Sequence, residues 1–264
     1  MSAILIENEI VHYEVLGRGR PILFLHGWVG SWRYWIPTMQ VASNNAFRAY
    51  ALDFWGFGDT AKNTQRYSIS EQVAILEAFF EQMGILKVAL VGHGLGAVVG
   101  LQFAARNPER VDRFMAVSYP LSSSAVNPRL RNEKLVDLAD WLLGRTPAPE
   151  PARQEAPKAD PQALNASLQG LSSLDLWASL QALKTPCLLV HGQNDPAVSL
   201  NHSQEPAAEL QESTHLIAFE ASGHFPMLDE GAKFHRLLID FLALKPGESP
   251  RQLQLKEEWK RRVR

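Results

Sequence analysis

The chain has 264 residues, enough for one sizeable α/β domain with an inserted subdomain. Hydrophobic residues make up 46% and charged residues 20%, which is the balance of an ordinary globular protein. The formal net charge of −2 gives no long-range attraction to nucleic acid or to an anionic membrane, so neither is an expected partner. The single cysteine, Cys187, excludes an intrachain disulfide, and its apolar neighbours predict a position in the core.

No targeting or anchoring segment is indicated by the sequence. Residues 1–9 contain no basic stretch followed by a long apolar run, so we expect no signal peptide. No apolar run approaches the roughly 18 residues that a membrane-spanning helix needs. We therefore expect a cytoplasmic protein.

Predicted strands and helices alternate along most of the chain. Apolar runs predict strands at residues 9–15, 21–25, 48–52, 87–91, 114–117, 187–190 and 216–219. Apolar periodicity and end signals predict helices at 32–42, 95–106, 203–212 and 233–244, and one that begins at the capping box Ser68–Glu71. Strands that alternate with helices predict a parallel sheet with helices on both faces.

Residues 120–180 and 245–264 interrupt this alternation. The first segment has short helical patterns around the prolines between 147 and 161, a stretch expected to be mobile or extended rather than packed. Because it follows the C-terminal end of a strand, where open α/β sheets bind ligands, it is predicted to form a lid. The second segment is basic and has an apolar stripe that predicts a helix docked on the body, with a partner or membrane contact, or a frayed tail, as the alternatives. The predicted organisation is a core of residues 1–119 and 181–244, the lid 120–180, and the tail 245–264.

A short motif follows each of several predicted strands. In chain order the motifs are His26-Gly27-Trp28, Asp53-Phe54-Trp55-Gly56-Phe57-Gly58-Asp59-Thr60, Gly92-His93-Gly94-Leu95-Gly96, His191-Gly192-Gln193-Asn194-Asp195 and Gly223-His224-Phe225-Pro226. Their order and spacing together resemble the α/β-hydrolase superfamily, and within it the lid-containing esterase and lipase branch. The resemblance covers residues 9–119 and 181–244. It implies the α/β-hydrolase fold, a mostly parallel twisted sheet with helices on both faces and a small helical lid.

The same resemblance implies a set of catalytic positions. In the superfamily's nucleophile elbow, G-x-S-x-G, the third residue is a serine held on a strained strand-to-helix turn. Gly94 stands at that position and has no side chain that could attack a carbonyl. Asp195 corresponds to the triad acid and His224 to the triad base. The backbone N–H groups of Trp28 and Leu95 would form the oxyanion hole.

Further residues are assigned to the surroundings of the site. The resemblance places His26, Gly27, Trp55 and His93 beside the ligand, which would be a small carbonyl or acyl compound. Asp53 is predicted to be a structural carboxylate that binds loop amides. The sequence contains neither a metal-ligand motif nor a P-loop, so no metal and no cofactor are expected.

Gly94 also completes a second pattern, because residues 92–97 fit the dinucleotide-binding fingerprint G-x-G-x-x-A. The strand that follows lacks the acidic residue that usually accompanies this fingerprint, which disfavours a dinucleotide site. Glycine also tolerates the backbone of a strained elbow better than other residues do. We therefore predict that Gly94→Ser lowers thermal stability slightly.

Three functions remain open from the sequence. The first is a binding protein that captures a carbonyl ligand without hydrolysing it. The second is a lyase-like enzyme that uses the Asp195–His224 dyad as a general base. The third is an active ester hydrolase, either through a displaced serine at Ser118 or 122–124, or because Gly94 is an introduced knockout. No motif sets the ligand or the oligomeric state.

Overall fold

The computed structural model describes residues 2–143, 150–199 and 210–255. Its strands are β1 (Ser2–Ile6), β2 (Glu9–Leu16), β3 (Arg20–Leu25), β4 (Phe47–Leu52), β5 (Val88–His93), β6 (Val111–Val117), β7 (Cys187–Gly192) and β8 (Thr214–Phe219). They form one sheet in the order β1-β2-β4-β3-β5-β6-β7-β8. β1 pairs antiparallel with β2, and β2 pairs antiparallel with β4. The other six strands, β3 to β8, run parallel to one another. This mostly parallel sheet confirms the predicted fold class.

Helices cover both faces of the sheet. Their bounds are α1 (Ile36–Asn44), α2 (Ile69–Gln82), α3 (Leu95–Arg106), α4 (Arg129–Asn132), α5 (Leu135–Leu143), α6 (Glu150–Glu155), α7 (Pro161–Gly170), α8 (Leu176–Gln181), α9 (Pro226–Asp229) and α10 (Gly231–Ala243). α1 packs against β4 and α10, whereas α3 packs against β5, β6, α2 and α8. None of the helices in the described ranges is long and apolar enough to cross a bilayer.

The parallel strands bring the predicted motifs to one edge of the sheet. Every residue of β5 is buried, as expected for a central strand with helices on both faces. The carboxyl ends of β3, β5, β7 and β8 point in one direction, because these strands belong to the parallel part of the sheet. The residues that follow them therefore converge at the edge where open α/β sheets bind ligands.

The capping box predicted at Ser68 is present in part. The Ser68 hydroxyl accepts a hydrogen bond from the backbone N–H of Glu71 at 3.2 Å, which satisfies one free donor of the first turn of α2. The Glu71 carboxylate accepts a hydrogen bond from Arg66 at 2.8 Å. The side chain predicted to close the box thus also ties α2 to the turn that precedes it.

β1 was not predicted from the sequence. Its residues alternate between half-buried and exposed positions, and Leu5 is 60% exposed. The run Ala3-Ile4-Leu5-Ile6 is apolar throughout, so it lacks the alternation of polar and apolar residues that marks a half-exposed strand. The local signal lies in Glu7 and Asn8, which both have positive φ and form the two-residue turn of a β-hairpin.

The proline-rich insertion is packed where it is described, so the expectation of a mobile or extended stretch is wrong for residues 150–161. Ala152 in α6 and Ala156 after it are buried. Pro161 is the first residue of α7, and the preceding Asp160 side chain accepts a hydrogen bond from the second residue of the helix. Proline fits the first turn of a helix because its missing N–H would have no partner there. Pro147 and Pro149 lie outside the described residues.

Two further predictions fall partly outside the described residues. The helix predicted at 203–212 lies mostly in the undescribed range 200–209, and residues 210–212 are not helical. The tail is described to residue 255, and that part forms a single 3₁₀ turn, Pro250–Gln252. Of the apolar stripe that predicts the docked helix, Trp259 and Val263 lie outside the described residues. Leu253 and Leu255 nevertheless pack against the core, so this part of the tail is docked.

Candidate active site

Gly94 forms a sharp turn between β5 and α3. Its φ of +50° and ψ of −109° lie in a region that strains residues with a side chain. The backbone of Gly94 is fixed on both sides, since its N–H donates to the Val117 carbonyl at 2.9 Å and its carbonyl accepts from Val98 N–H at 3.2 Å. Gly92 and Gly96 are needed for close approach, because a Cβ on either would collide with a backbone carbonyl. The turn therefore has the geometry that the elbow motif predicts.

His224 and Asp195 are joined in a buried pair. Nδ1 of His224 lies 2.9 Å from Oδ2 of Asp195 and 3.0 Å from Oδ1, and Oδ1 also accepts from the amides of Ala197 and Val198. Burial alone would raise the pKa of Asp195, but the charge and hydrogen bond of His224, with these amides, lower it to about 2. The anionic Asp195 thus holds the proton of His224 on Nδ1. This leaves Nε2, which has no hydrogen-bond partner in the described ranges, able to accept a proton.

Two backbone donors at the same edge of the sheet have no acceptor. Trp28 and Leu95 are fully buried residues, yet neither backbone N–H makes a hydrogen bond within the part of the chain that the structure describes. Gly96, the next residue of α3, donates instead to the His26 carbonyl at 3.0 Å. Leu95 is the first residue of α3, and buried N–H groups without a partner are rare in native proteins. Such donors are suited to bind a carbonyl oxygen or an oxyanion.

The predicted ligand residue His26 uses both ring nitrogens inside the protein. Its Nδ1 lies 2.8 Å from the Gly27 carbonyl, and its Nε2 accepts from the Phe54 N–H at 3.0 Å. The ring is fully buried, and burial lowers the pKa of His26 although Asp53 opposes this. His26 therefore ties the loop after β3 to the loop after β4, rather than presenting a nitrogen to a ligand.

His93 links the loop after β3, which carries Gly27 and Trp28, to the loop after β8, which carries His224. The Gly27 N–H donates to the Tyr34 hydroxyl at 2.6 Å, and this hydroxyl lies 3.0 Å from His93 Nδ1. His93 Nε2 lies 2.8 Å from the His224 carbonyl, which can only accept. Because the carbonyl requires the proton on Nε2, Tyr34 donates to Nδ1. Burial keeps the pKa of His93 well below its usual value, so the ring stays neutral.

Trp55, predicted to lie beside the ligand, and Tyr34 are both held by hydrogen bonds inside the protein. Trp55 is buried, and both its backbone N–H and its carbonyl bond the Gln72 side chain at 3.0 Å. Tyr34, which the sequence analysis missed, lies in the 3₁₀ turn Trp32–Trp35 directly after the oxyanion loop. A cluster of aromatic residues close behind the His-Gly-Trp motif was the only local signal for it.

Asp53 is a structural carboxylate, as predicted. Oδ1 accepts from Trp32 N–H at 2.9 Å, and Oδ2 lies 3.1 Å from Asp59 N and 2.9 Å from His12 Nδ1. Potential ligand atoms of His12, Asp53 and Asp59 lie within 4.8 Å of one another, the spacing of a metal site. The Asp59 carboxylate, however, already pairs with Lys158 at 3.1 Å, and Asp53 with His12 at 2.9 Å, so both carboxylates have protein partners.

Three of the four serines considered as displaced nucleophiles, Ser118, Ser122 and Ser124, make other hydrogen bonds. Ser118 is buried, and its hydroxyl donates to the backbone carbonyl of His224 at 3.2 Å. Ser122 and Ser124 bond each other at 2.8 Å. None of these hydroxyls bonds the imidazole of His224, which is the contact that would activate a serine.

Comparisons with known proteins agree with this architecture. A family model described as the alpha/beta hydrolase family matches residues 22–237. The putative carbamate hydrolase RutD of Variovorax paradoxus is 28% identical over 256 residues, which cover 88% of this chain and 96% of that protein. A hydrolase from Pseudomonas aeruginosa has a similar structure, with a TM-score of 0.81, 17% identity, and coverage of 92% of this chain and 98% of that one.

A third similar structure is a serine-to-glycine mutant of the N-acyl homoserine lactonase AidH, complexed with N-hexanoyl homoserine lactone. It has a TM-score of 0.79 and 22% identity, and covers 91% of this chain and 96% of that one. The family match extends over most of the chain and includes the strands and loops that carry Trp28, Gly94, Asp195 and His224. The protein therefore belongs to the alpha/beta hydrolase family.

Proposed function

We propose that the protein binds a small carbonyl compound of the ester, lactone or carbamate type at Gly94, without ordinary serine-hydrolase turnover. The observation that carries this proposal is the Asp195–His224 hydrogen bond beside a turn whose central residue lacks a side chain. The unpaired amides of Trp28 and Leu95 support it, because they supply donors for a carbonyl oxygen.

The chemistry follows from these groups. A ligand carbonyl oxygen would accept from the N–H groups of Trp28 and Leu95, and its carbon would face Gly94. No acyl-enzyme bond forms, because position 94 has no hydroxyl. Loss of the serine in such a triad costs on the order of 10⁶ in kcat, and roughly 10³–10⁴ over water remains from the oxyanion hole and binding.

The relatives support the chemical class of the ligand. One is named a carbamate hydrolase, and another is a lactonase, so both names refer to compounds with a carbonyl group. The lactonase is described as a serine-to-glycine mutant in complex with an acyl lactone. That mutant therefore holds a carbonyl ligand although a serine has been replaced by glycine.

A second candidate function rests on His224. Its Nε2 has no partner in the described ranges, and Asp195 orients the ring from the other side through Nδ1. The dyad would then act as a general base on a water molecule or on an acidic C–H of the ligand. This candidate predicts a slow reaction in the wild-type protein, without any substitution at Gly94. His224→Gln should abolish that reaction.

We further propose that residues 120–180 form a lid over the site. Glu155 in α6 is buried and pairs with Arg33 at 2.7 Å and with Lys158 at 3.0 Å. Ser31 also donates to Glu155 at 3.1 Å, so the insertion is tied to the segment that follows the oxyanion loop. Glu155→Gln would weaken this tie and increase proteolysis of the insertion; unchanged cleavage kinetics would contradict the lid.

Three proteins test the proposed function: wild type, Gly94→Ser, and Gly84→Ser as the matched control. Gly84 also has a positive φ, +64°, but a Cβ there would meet nothing within 4 Å. Each is assayed with p-nitrophenyl acetate and butyrate and with a serine-directed fluorophosphonate. We expect labelling of Gly94→Ser alone. Labelling of the wild type would reveal another serine nucleophile and contradict the proposal.

A further inference from the structure

The side chain of Trp28 covers Gly94. It has no exposed surface, and a Cβ at position 94 would lie 3.0 Å from its Cε3 and 3.1 Å from its Cζ3. Carbon atoms in favourable contact lie about 3.5–4.0 Å apart, so contacts at these distances would be repulsive. The benzene edge of the indole therefore occupies the space into which a side chain at 94 would extend.

We propose that Trp28 is the residue that determines which acyl groups reach the site. The absence of a side chain at Gly94 allows the Trp28 indole to lie directly over this position. The inference rests on the proposed function, because a carbonyl carbon held near Gly94 must carry its acyl group past the same space. The Trp28 indole and the acyl group compete for that space. A ligand with a long or bulky acyl group therefore binds only when the indole moves aside.

The backbone beside Trp28 is anchored, but its indole is not. The Gly27 N–H donates to the Tyr34 hydroxyl at 2.6 Å, and the His26 carbonyl accepts from Gly96 N–H at 3.0 Å. The indole Nε1 is buried and has no hydrogen-bond partner in the described ranges. Packing alone holds the ring, and moving it toward solvent would give its N–H a partner. The indole can thus swing while the oxyanion amide of Trp28 stays in place.

The space released by the indole defines the class of ligand. A buried aromatic ring leaves an apolar volume when it moves, and an apolar group refills such a volume best. An acetyl group needs little of that volume, whereas an alkyl chain of several carbons or an aromatic acyl group needs most of it. Trp28 therefore disfavours long acyl groups in proportion to the volume they require.

Binding of inert amides to the full-length chain tests whether Trp28 sets the preference for acyl-chain length. The probes are the p-nitroanilides of acetic, butyric and octanoic acid, titrated by calorimetry into the wild type, Trp28→Phe and Trp28→Leu. Trp32→Leu is the matched control, because Trp32 is a buried tryptophan of the same segment whose indole N–H also lacks a partner. Trp28→Phe keeps an aromatic ring at this position. It still tests the proposal if the leucine variant does not fold.

We expect octanoyl affinity to rise about tenfold or more in Trp28→Leu, with Trp28→Phe in between and the acetyl probe hardly changed. Trp32→Leu should match the wild type. In the Gly94→Ser background, Trp28→Leu should speed fluorophosphonate labelling about tenfold, because the serine then has room. An unchanged preference for chain length, or equal labelling rates with and without Trp28→Leu, would overturn the role of Trp28 and leave the proposed function standing. No binding of any probe to any variant would overturn both.

Discussion

The protein contains two buried histidine–aspartate pairs with nearly the same geometry. Nδ1 of His12 and Nδ1 of His224 each lie 2.9 Å from an aspartate oxygen, of Asp53 and Asp195 respectively. Their surroundings differ. The second pair lies where the ends of the parallel strands converge and leaves His224 Nε2 without a partner in the described ranges, whereas His12 Nε2 is buried 3.5 Å from Glu14.

The two aspartates also distribute their hydrogen bonds differently. Asp53 uses both oxygens for backbone amides, one from Trp32 and one from Asp59. Asp195 accepts both of its backbone amides on Oδ1, which leaves Oδ2 to His224. A histidine–aspartate hydrogen bond therefore does not by itself indicate a catalytic dyad. What distinguishes the candidate dyad is its place at the carboxyl ends of the parallel strands, because Nε2 of His12 also lacks a hydrogen bond among the described residues and is buried beside Glu14.

The largest contrast is expected in activity, once position 94 carries a serine. In the Gly94→Ser background, His224→Gln should lower p-nitrophenyl butyrate turnover by about 10²–10⁴, because the general base is lost. His12→Gln in the same background should leave turnover within about threefold of the parent, since general-base catalysis does not involve that ring. The assay is initial rate at neutral pH, and similar losses in both variants would show that the two pairs are not functionally distinct.

The next largest effect is expected in stability. Here the Asp53 pair should matter more than the Asp195 pair, the reverse of their expected effects on activity. Asp53→Asn places an amide group against backbone donors whichever way it turns, so it should cost about 3 kcal/mol of unfolding free energy. Asp195→Asn can keep its oxygen toward Ala197 and Val198 and should cost about 1 kcal/mol. Urea denaturation of both variants measures the difference. An equal cost would mean that the arrangement of donors around the two carboxylates has no energetic consequence.

A smaller effect is expected from Gly94→Ser itself. The positive φ and the contact with Trp28 should together cost about 1–3 kcal/mol, seen as a lower Tm. Gly84→Ser shares the positive φ but has open space around it, so it should lose less. A Tm for Gly94→Ser equal to or above that of the wild type would contradict a strained turn at this position.

The last predicted effect is the dependence of stability on pH, which has opposite signs for the two pairs. Burial alone would lower the pKa of His12, but Asp53, Asp59 and Glu14 raise it above 6.5. The stability from this pair is therefore complete below pH 6.5 and is lost as pH rises through the raised pKa. Asp195, lowered from 3.8 to about 2, contributes stability above pH 3.8 that is lost as pH falls toward 2.

Single variants separate the two contributions to this pH dependence. The unfolding free energy of His12→Gln should no longer decline above pH 6.5, while Asp195→Asn should remove part of the decline at low pH. Denaturation midpoints measured across the pH range provide the comparison. A wild-type slope above pH 6.5 that persists in His12→Gln would assign that slope to another group.

Much of the site could be predicted from the sequence because its motifs are local. Gly94, Asp195 and His224 each stand just after an apolar strand, and parallel strands bring such positions to one edge. Trp28 was identified through its backbone amide, not through its side chain. The proline-rich insertion was misjudged, because composition does not distinguish a proline in a first helical turn, such as Pro161, from one in an extended stretch.

The sequence by itself thus determined the parallel sheet, the order of the motifs and the absence of a side chain at position 94. Only the tertiary structure decided what surrounds that position. The indole of Trp28 against Gly94, the chain from Gly27 through Tyr34 to His93, and the pairing of His12 with Asp53 join residues from different loops. The physical reason is that strand and helix patterns follow from near neighbours in the chain, whereas side-chain contacts between loops depend on where the sheet brings those loops together.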